Sequence, residues 1–161
     1  MRMVDLIREF RSDHRIVIDK LFELETVFKK HRLEDAKRIV DELDLLVGPH
    51  MKFEEEHLYP TLRRFLEDIG DIRVDELLHE HSDAAAVIKN LREILNKPEF
   101  TGEDSKIAIE KLSGFFIHVS NCDGLNLLIE RVLSVQERRK LAIKLLEARL
   151  EGKPLTEWKR V

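Results

Sequence analysis

Four segments of this 161-residue chain repeat apolar residues at intervals of three and four, and one histidine interrupts each repeat. Positions three, four and seven apart lie on one face of an α-helix, so each segment predicts a helix with one buried face. The histidines stand in those faces where apolar residues are expected. They are His14, His50, His81 and His118. A chain built in this way places four imidazoles in its core.

A buried imidazole needs a partner for each ring nitrogen, and a single histidine in an apolar face is more often a hydrogen-bonded core residue than a metal ligand. Four of them, one on each of four successive helices, are hard to explain as independent accidents. The pattern therefore favours a metal site enclosed by packed helices.

Composition is typical of long amphipathic helices. Charged residues make up 37% of the chain and aromatic residues only 6%, while glycine and proline are rare, at 6 and 4 residues. The length suits one domain with a single core. We predict an all-α protein with four main helices and an additional C-terminal helix.

Charge and hydropathy argue against two classes of partner. Lys and Arg number 28 against 32 for Asp and Glu, which gives no electrostatic attraction to nucleic acid or an anionic membrane. The uncharged stretches are too short to cross a bilayer, and the first ten residues lack a signal peptide's unbroken apolar run. The single cysteine, Cys122, excludes an internal disulfide and is typical of a reducing compartment. We expect a cytoplasmic protein that binds neither nucleic acid nor membranes.

Turn and capping residues divide the chain into five predicted helices. Ser134 and Glu137 form a capping box that begins the fifth helix. Gly48 and Pro49 predict a kink or break just before His50. The helices are expected at about residues 3–30, 33–66, 72–96, 105–133 and 135–150, with loops at 68–71 and 97–104.

The most specific local motif is the segment from His50 to Pro60, which reads HMKFEEEHLYP. His50 and Glu54 are four residues apart, so their side chains project one turn apart from the same helix face. An imidazole and a carboxylate in this position can bind the same metal centre. A core carboxylate beside a core histidine also needs a cation or a proton to be tolerated. Glu54 is therefore a candidate ligand.

This segment, with Asp13-His14-Arg15, Glu80-His81 and the histidine of the fourth helix, resembles the hemerythrin-like (HHE) cation-binding domain family. The resemblance covers about residues 13–133. It implies an antiparallel up-down four-helix bundle around a non-heme di-iron centre with histidine ligands and two bridging carboxylates. We accordingly expect residues 1–133 to form this bundle, with residues 134–161 packed on it or at an oligomer interface. Carried over by position, the terminal ligands are His14, His50, His81 and His118, and one bridge is Glu54.

Two positions depart from the family pattern. Leu77 stands where oxygen-carrying hemerythrins have a further histidine, which leaves one metal with a position for water or a small ligand. Cys122 stands where many members have glutamate. Asp123 has the spacing of a bridging aspartate, but five residues after His118 it lies about 140° away in a regular helix. We expect a widened turn at 121–124 that brings Asp123 inward; in a regular helix Cys122 would take the bridge position instead.

Three classes of function stay open. The first is a di-iron protein that binds a diatomic ligand such as dioxygen or nitric oxide, or senses or stores iron. The second is a di-iron oxidase or an iron–sulfur repair factor, and the third is a helical interaction domain with a decayed metal site. We expect the first, a metal- and small-ligand-binding protein more than an enzyme. Zinc or manganese would accept the same donors. The fifth helix carries Leu141, Leu145 and Leu146, which could form a homo-oligomer interface.

Overall fold

The computed structural model describes residues 3–161, apart from the side chain of Ile69. Met1 and Arg2, which begin the predicted first domain, lie outside the described residues. The described residues form helices without any β-strand, so the prediction of an all-helical chain is confirmed. The elements are α1 (Leu6–Lys29), α2 (Leu33–Phe53), a π-helical turn (Glu54–Leu58), α3 (Tyr59–Leu95), α4 (Gly102–Asp123), α5 (Leu125–Val132), α6 (Val135–Glu151) and α7 (Leu155–Trp158).

The long helices pack side by side around two apolar groups of residues. Helix α1 contacts α2 and α4, and α3 contacts the same two helices. The first core group includes Val17, Val47, Ala84, Leu91 and Phe115. The second core group includes Phe10, Phe53, Leu77, Cys122 and Ile129. Each of the four histidines lies in the sequence between a member of one group and a member of the other, so a polar layer separates the two groups.

The break expected at Gly48 and Pro49 does not occur, because α2 continues through both residues to Phe53. The glycine at position 48 instead allows the C-terminal segment to approach α2 closely. A Cβ atom at Gly48 would lie 2.1 Å from the Lys153 carbonyl oxygen and 2.5 Å from the Leu155 nitrogen. The indole Nε1–H of Trp158 donates to the Gly48 carbonyl oxygen over 3.1 Å. The absent side chain therefore lets the C-terminal segment lie directly on α2.

The loop expected at 68–71 is reduced to one non-helical residue inside α3, Glu67, with φ 43° and ψ −141°. Positive φ is uncommon for residues other than glycine, so this position is a sharp local break. Gly70 lies tightly against the preceding turn, since a Cβ atom there would be 2.0 Å from Leu66 Cβ. The glycine in the sequence thus correctly indicated a break near this position, but the non-helical segment is shorter than expected.

Side-chain caps fix the ends of the later helices. Thr101 caps α4 through a capping box with Asp104, so this helix begins at Gly102, three residues before the expected start at residue 105. The predicted capping box of Ser134 and Glu137 is present at the start of α6, which ends at Gly152 in the left-handed conformation, φ 62°. Helix α6 packs against α1 and α2. None of the described helices combines the length and the apolar character that a membrane crossing requires.

Replacing Gly48 with alanine should loosen the C-terminal segment. The new methyl group would collide with the backbone at residues 153–155, and overpacking of this kind costs about 1–3 kcal/mol of unfolding free energy. Trp158 is the only tryptophan, so its fluorescence reports the displacement directly. Chemical denaturation followed by this fluorescence measures both effects.

Gly114→Ala is the matched control for that experiment. A Cβ atom at Gly114, within α4, would meet nothing within 4 Å. Alanine there should stabilise the protein by about 0.5–1 kcal/mol through helix propensity alone. Equal stability changes in the two variants would contradict the close-packing role of Gly48.

Candidate metal centre

Successive helical segments bring the four predicted histidines into one buried layer. The exposed fractions of His14, His50, His81 and His118 are 6%, 6%, 0% and 4%. The ring centroids of His14 and His50 are 4.9 Å apart, and those of His81 and His118 are also 4.9 Å apart. The histidines therefore form two pairs inside the protein, as the helical spacing predicted.

Glu54 lies between the two histidine pairs and is fully buried, with an exposed fraction of 0%. Its Oε1 atom is 3.1 Å from His50 Nε2 and 3.7 Å from His81 Nε2. Potential ligand atoms form two groups of three, each with its atoms within 4.8 Å of one another. One group is His14, His50 and Cys122, and the other is Glu54, His81 and His118.

Each histidine of the layer is held from outside by a carboxylate at Nδ1. Such a contact orients the ring, and when Nδ1–H donates, it leaves the lone pair of Nε2 free for a metal. The contacts are Nδ1 of His14 to Asp123 at 3.0 Å, of His50 to Asp13 at 2.8 Å, of His81 to Glu55 at 2.9 Å and of His118 to Glu80 at 2.7 Å.

Three inward-facing atoms are buried without a hydrogen-bond partner among the described residues: Nε2 of His14, Nε2 of His50 and Oε1 of Glu54. The contact between the last two is short, but it lacks hydrogen-bond geometry. Leaving buried polar atoms unpaired costs free energy. A cation would accept lone pairs from all three atoms, with the proton on His50 Nε2 released on binding. Imidazole, carboxylate and thiol are donors that suit iron and zinc, so the residues present fit a metal.

The centre favours an ionised Glu54. Burial by itself would raise the pKa of Glu54, but His50, His81 and His118 hold it well below its ordinary value. Burial would likewise lower the pKa of His50, yet Glu54 and Asp13 raise it to about 9. Burial, followed by the neighbouring His50, lowers the pKa of His14 to about 4, so this imidazole is neutral at pH 7. A negative charge is thus stabilised at the middle of the layer.

Tyr59 and Cys122 meet the second oxygen of Glu54. The Tyr59 hydroxyl donates to Oε2 over 2.7 Å, and the Cys122 thiol donates to the same atom over 2.8 Å. Burial and the charge of Glu54 raise the pKa of both groups well above their ordinary values, so both are neutral at pH 7. The Tyr59 hydroxyl is also 3.1 Å from His81 Nε2. Tyr59 therefore belongs to the site, and the sequence reasoning missed it.

The π-helical turn explains why Tyr59 reaches the site. In a regular α-helix, a residue five positions after Glu54 lies about 140° away round the axis. Here the Tyr59 N–H bonds to the Glu54 carbonyl oxygen, five residues back, and this wider turn returns Tyr59 to the face of Glu54. Pro60 was the available signal, because a proline inside a helix disrupts the regular hydrogen bonding of the preceding turn.

Helix α4 does not contain the widened turn that we expected at 121–124. The Gly124 N–H bonds to the Ser120 carbonyl oxygen at the ordinary four-residue spacing, over 3.3 Å. Asp123 consequently lies outside the layer, with its side chain 48% exposed and in contact with the outer nitrogen of His14. Cys122 is the residue that faces Glu54. The inward turn of Asp123 is therefore not observed, because α4 stays regular and the widened turn lies after α2.

Two further residues near His81 supply no ligand atom to the layer. Leu77 is fully buried in the second core group and offers no ligand atom. The side chain of His79 is 80% exposed and does not contribute to the layer. Among the described residues, the candidate ligands on this side of Glu54 are thus His81 and His118, with the Tyr59 hydroxyl as an additional polar group.

The family model for the hemerythrin HHE cation-binding domain matches residues 5–121. This match covers most of the chain and shows that the protein belongs to that family, as the sequence resemblance indicated. Comparison with curated proteins and with solved structures gives no match. Family membership and the two groups of candidate ligands together support binding of a metal cation.

Asp13→Asn should weaken metal binding without unfolding the protein. Asp13 orients His50, and losing an outer partner of a ligating histidine typically costs 10–100-fold in metal affinity. Competition with a chelator measures the change, and circular dichroism checks the helices. Asp19→Asn is the control, since Asp19 is an exposed residue of the same helix. An unchanged affinity in Asp13→Asn would show that His50 does not depend on this contact.

Proposed function

We propose that this chain is a non-heme di-iron protein that binds a diatomic ligand, dioxygen or nitric oxide, or senses iron. The observation that carries the proposal is the pair of three-donor groups on either side of Glu54, with unpartnered nitrogen and oxygen atoms facing inward. Two metal ions held close together repel one another, and a shared carboxylate supplies the negative charge that offsets this repulsion.

In this proposal His14, His50 and Cys122 hold one metal, and His81 and His118 hold the other, with Glu54 shared between them. Asp123 then orients His14, as its 3.0 Å contact with the outer nitrogen favours, and is not a ligand itself. Cys122 takes the position of the second carboxylate, and its thiol has to lose a proton on binding a metal. A reducing compartment such as the cytoplasm would keep this thiol available.

The surroundings of His118 favour a very small ligand. Non-heme iron supplies a reversible change of redox state and an affinity for dioxygen and nitric oxide. A cavity of about 70 Å³ reaches His118 and is lined in part by Ala84, Val87 and Phe115. This volume suits a diatomic molecule better than an organic substrate.

We further propose that residues 1–133 form the family's antiparallel up-down bundle and that residues 134–161 are an addition to it. The order of the core residues supports this arrangement. Along α1 and α3 the second core group precedes the first, and along α2 and α4 the first precedes the second. Neighbouring helices that run in alternate directions produce this alternation. The contacts of α6 with α1 and α2 support packing of the addition on the bundle.

A zinc protein is the second candidate, and Cys122 is the observation that favours it. Two imidazoles and one thiolate are three of the four donors of many zinc sites. The group of His14, His50 and Cys122 supplies such a set without Glu54. Zinc at this group alone would give one colourless metal per chain and no response to dioxygen or nitric oxide.

Metal analysis of anaerobically purified protein tests the di-iron proposal. We expect about two iron atoms per chain, an absorption change on exposure to air or nitric oxide, and a lower melting temperature after chelation, because the metal binds only the folded state. Glu54→Ala should lose most of the iron with its helices intact. Glu56→Ala, which removes an exposed glutamate two residues away, should keep the iron. Full iron retention in Glu54→Ala would exclude a bridging role.

Two neighbouring substitutions in α4 distinguish the roles of Cys122 and Asp123. Cys122→Ser should remove one of the two metals, because a hydroxyl is a far weaker ligand than a thiolate. Asp123→Asn should keep both metals and weaken binding only through His14. Iron content and chelator competition measure the difference. Loss of metal in Asp123→Asn with full retention in Cys122→Ser would reverse the assignment.

A further inference from the structure

A cavity of about 550 Å³ lies outside the metal centre, lined by residues of α1, α5 and α6. Four arginines contribute to its wall: Arg8, Arg11 and Arg15 from α1, and Arg138 from α6. Among the described residues that line it, Asp5 and Glu130 are the only carboxylates, so the described lining carries four positive and two negative charges, a net +2. The whole chain has a net charge of −4. The cavity is therefore a local concentration of positive charge on an acidic protein.

None of the four guanidinium groups of the cavity forms an ion pair with a described residue. Within the part of the chain that the structure describes, no carboxylate oxygen lies within 4.0 Å of any of them. Asp5 is occupied as the N-cap of α1, where it accepts from the Ile7 N–H over 3.1 Å. Six arginines elsewhere are ion-paired, namely Arg32, Arg38, Arg63, Arg73, Arg92 and Arg149. Arg64, Arg131, Arg139 and Arg160 also have no carboxylate oxygen within 4.0 Å among the described residues, but none of them lines this cavity.

One arginine donor of the cavity is buried and unpaired. The Nε atom of Arg138 is shielded from solvent and has no hydrogen-bond partner among the described residues. A charged donor left in this state costs free energy, and the negative charge of an anion beside the guanidinium group would offset part of that cost. The arrangement along α1 adds a smaller cost. Arg11 lies three residues after Arg8 and four before Arg15, and like charges at these spacings destabilise a helix.

The neighbours of the cavity indicate what else a ligand would meet. An apolar cleft of about 280 Å³ shares Asp5 and Arg138 with it and is lined by Met3, Leu6 and Val135, among others. On another side, Arg11 and Arg15 also line the cavity that reaches His14. The arginine cavity has the volume of a small-molecule site, and a guanidinium group binds the two oxygens of a phosphate or carboxylate at once.

We propose that the arginine cavity binds a small oxyanion with two or more negative charges, carried on phosphate or carboxylate groups. This site goes beyond the proposed metal function. Its arginines are separate from the ligand groups of His14, His50, Glu54, Cys122, His81 and His118, so neither proposal depends on the other.

Calorimetric titration of the purified protein in dilute chloride buffer tests this inference, with pyrophosphate and citrate as probes. We expect one saturable site for at least one probe, and the tighter probe identifies the phosphate or the carboxylate class. Arg8→Gln and Arg138→Gln should each weaken binding about tenfold or more, the cost of one charge-assisted hydrogen bond. Neither residue lines the cavity at His14, so iron content should be unchanged.

Arg160→Gln is the matched control, because Arg160 is an exposed arginine that lines a different cavity with Lys89 and Arg92. It should bind the probe like the unmodified protein. Circular dichroism checks that each variant is folded. Absence of saturable binding for both probes would overturn the proposal. The proposal would also be overturned if all three variants bound the probe with the same affinity as one another. Weakened binding in Arg160→Gln alone would assign the anion to the other cavity.

Discussion

The structure depends on a negative charge buried at Glu54. An isolated carboxylate inside an apolar core would be prohibitively costly, so its surroundings have to supply compensating charge and hydrogen bonds. His50 supplies a positive charge, and Tyr59 and Cys122 donate hydrogen bonds to Oε2 of Glu54. The carboxylate and its partners form the polar layer that divides the apolar core into two groups. A layer of this composition gives no advantage in folding stability, since apolar residues of similar volume would stabilise the core as well or better.

Behind two of the histidines lies a carboxylate and, farther out, a cation that belongs to the C-terminal segment. Asp13 contacts His50 on one side and Arg149 of α6, at 2.8 Å, on the other. Glu55 contacts His81 and, at 2.6 Å, Lys159 near the end of the chain. Burial opposes ionisation of both carboxyls, but the histidine and the cation together lower their pKa values. The close approach at Gly48 holds the same C-terminal segment against α2. The residues after the family match therefore help to fix the orientation of the histidines.

Prediction from the sequence succeeded in regular helices, where the spacing of two residues determines whether their side chains lie on the same face. The histidines and Glu54 could be assigned to inward faces because the helical period fixes which positions share a face. The capping box at Ser134 could be read from four residues. Prediction failed where the backbone leaves that period. Tyr59 reaches the site through a π-helical turn, and Asp123 stays outside because the turn expected in α4 is absent. Local residue preferences did not show which of the two segments, 54–58 or 121–124, contains the widened turn.

The sequence by itself determined the helical class and the buried histidine layer, which follow from helical periodicity, and its motifs indicated the family by resemblance. The tertiary structure decided which side chains meet Glu54 and which stand behind the histidines. Asp13, Glu55, Glu80 and Asp123 come from different helices, and each pairs with a histidine distant in the sequence or on another element. Such pairings depend on how helices rotate and pack against one another, and that is set by the whole core, not by any one segment.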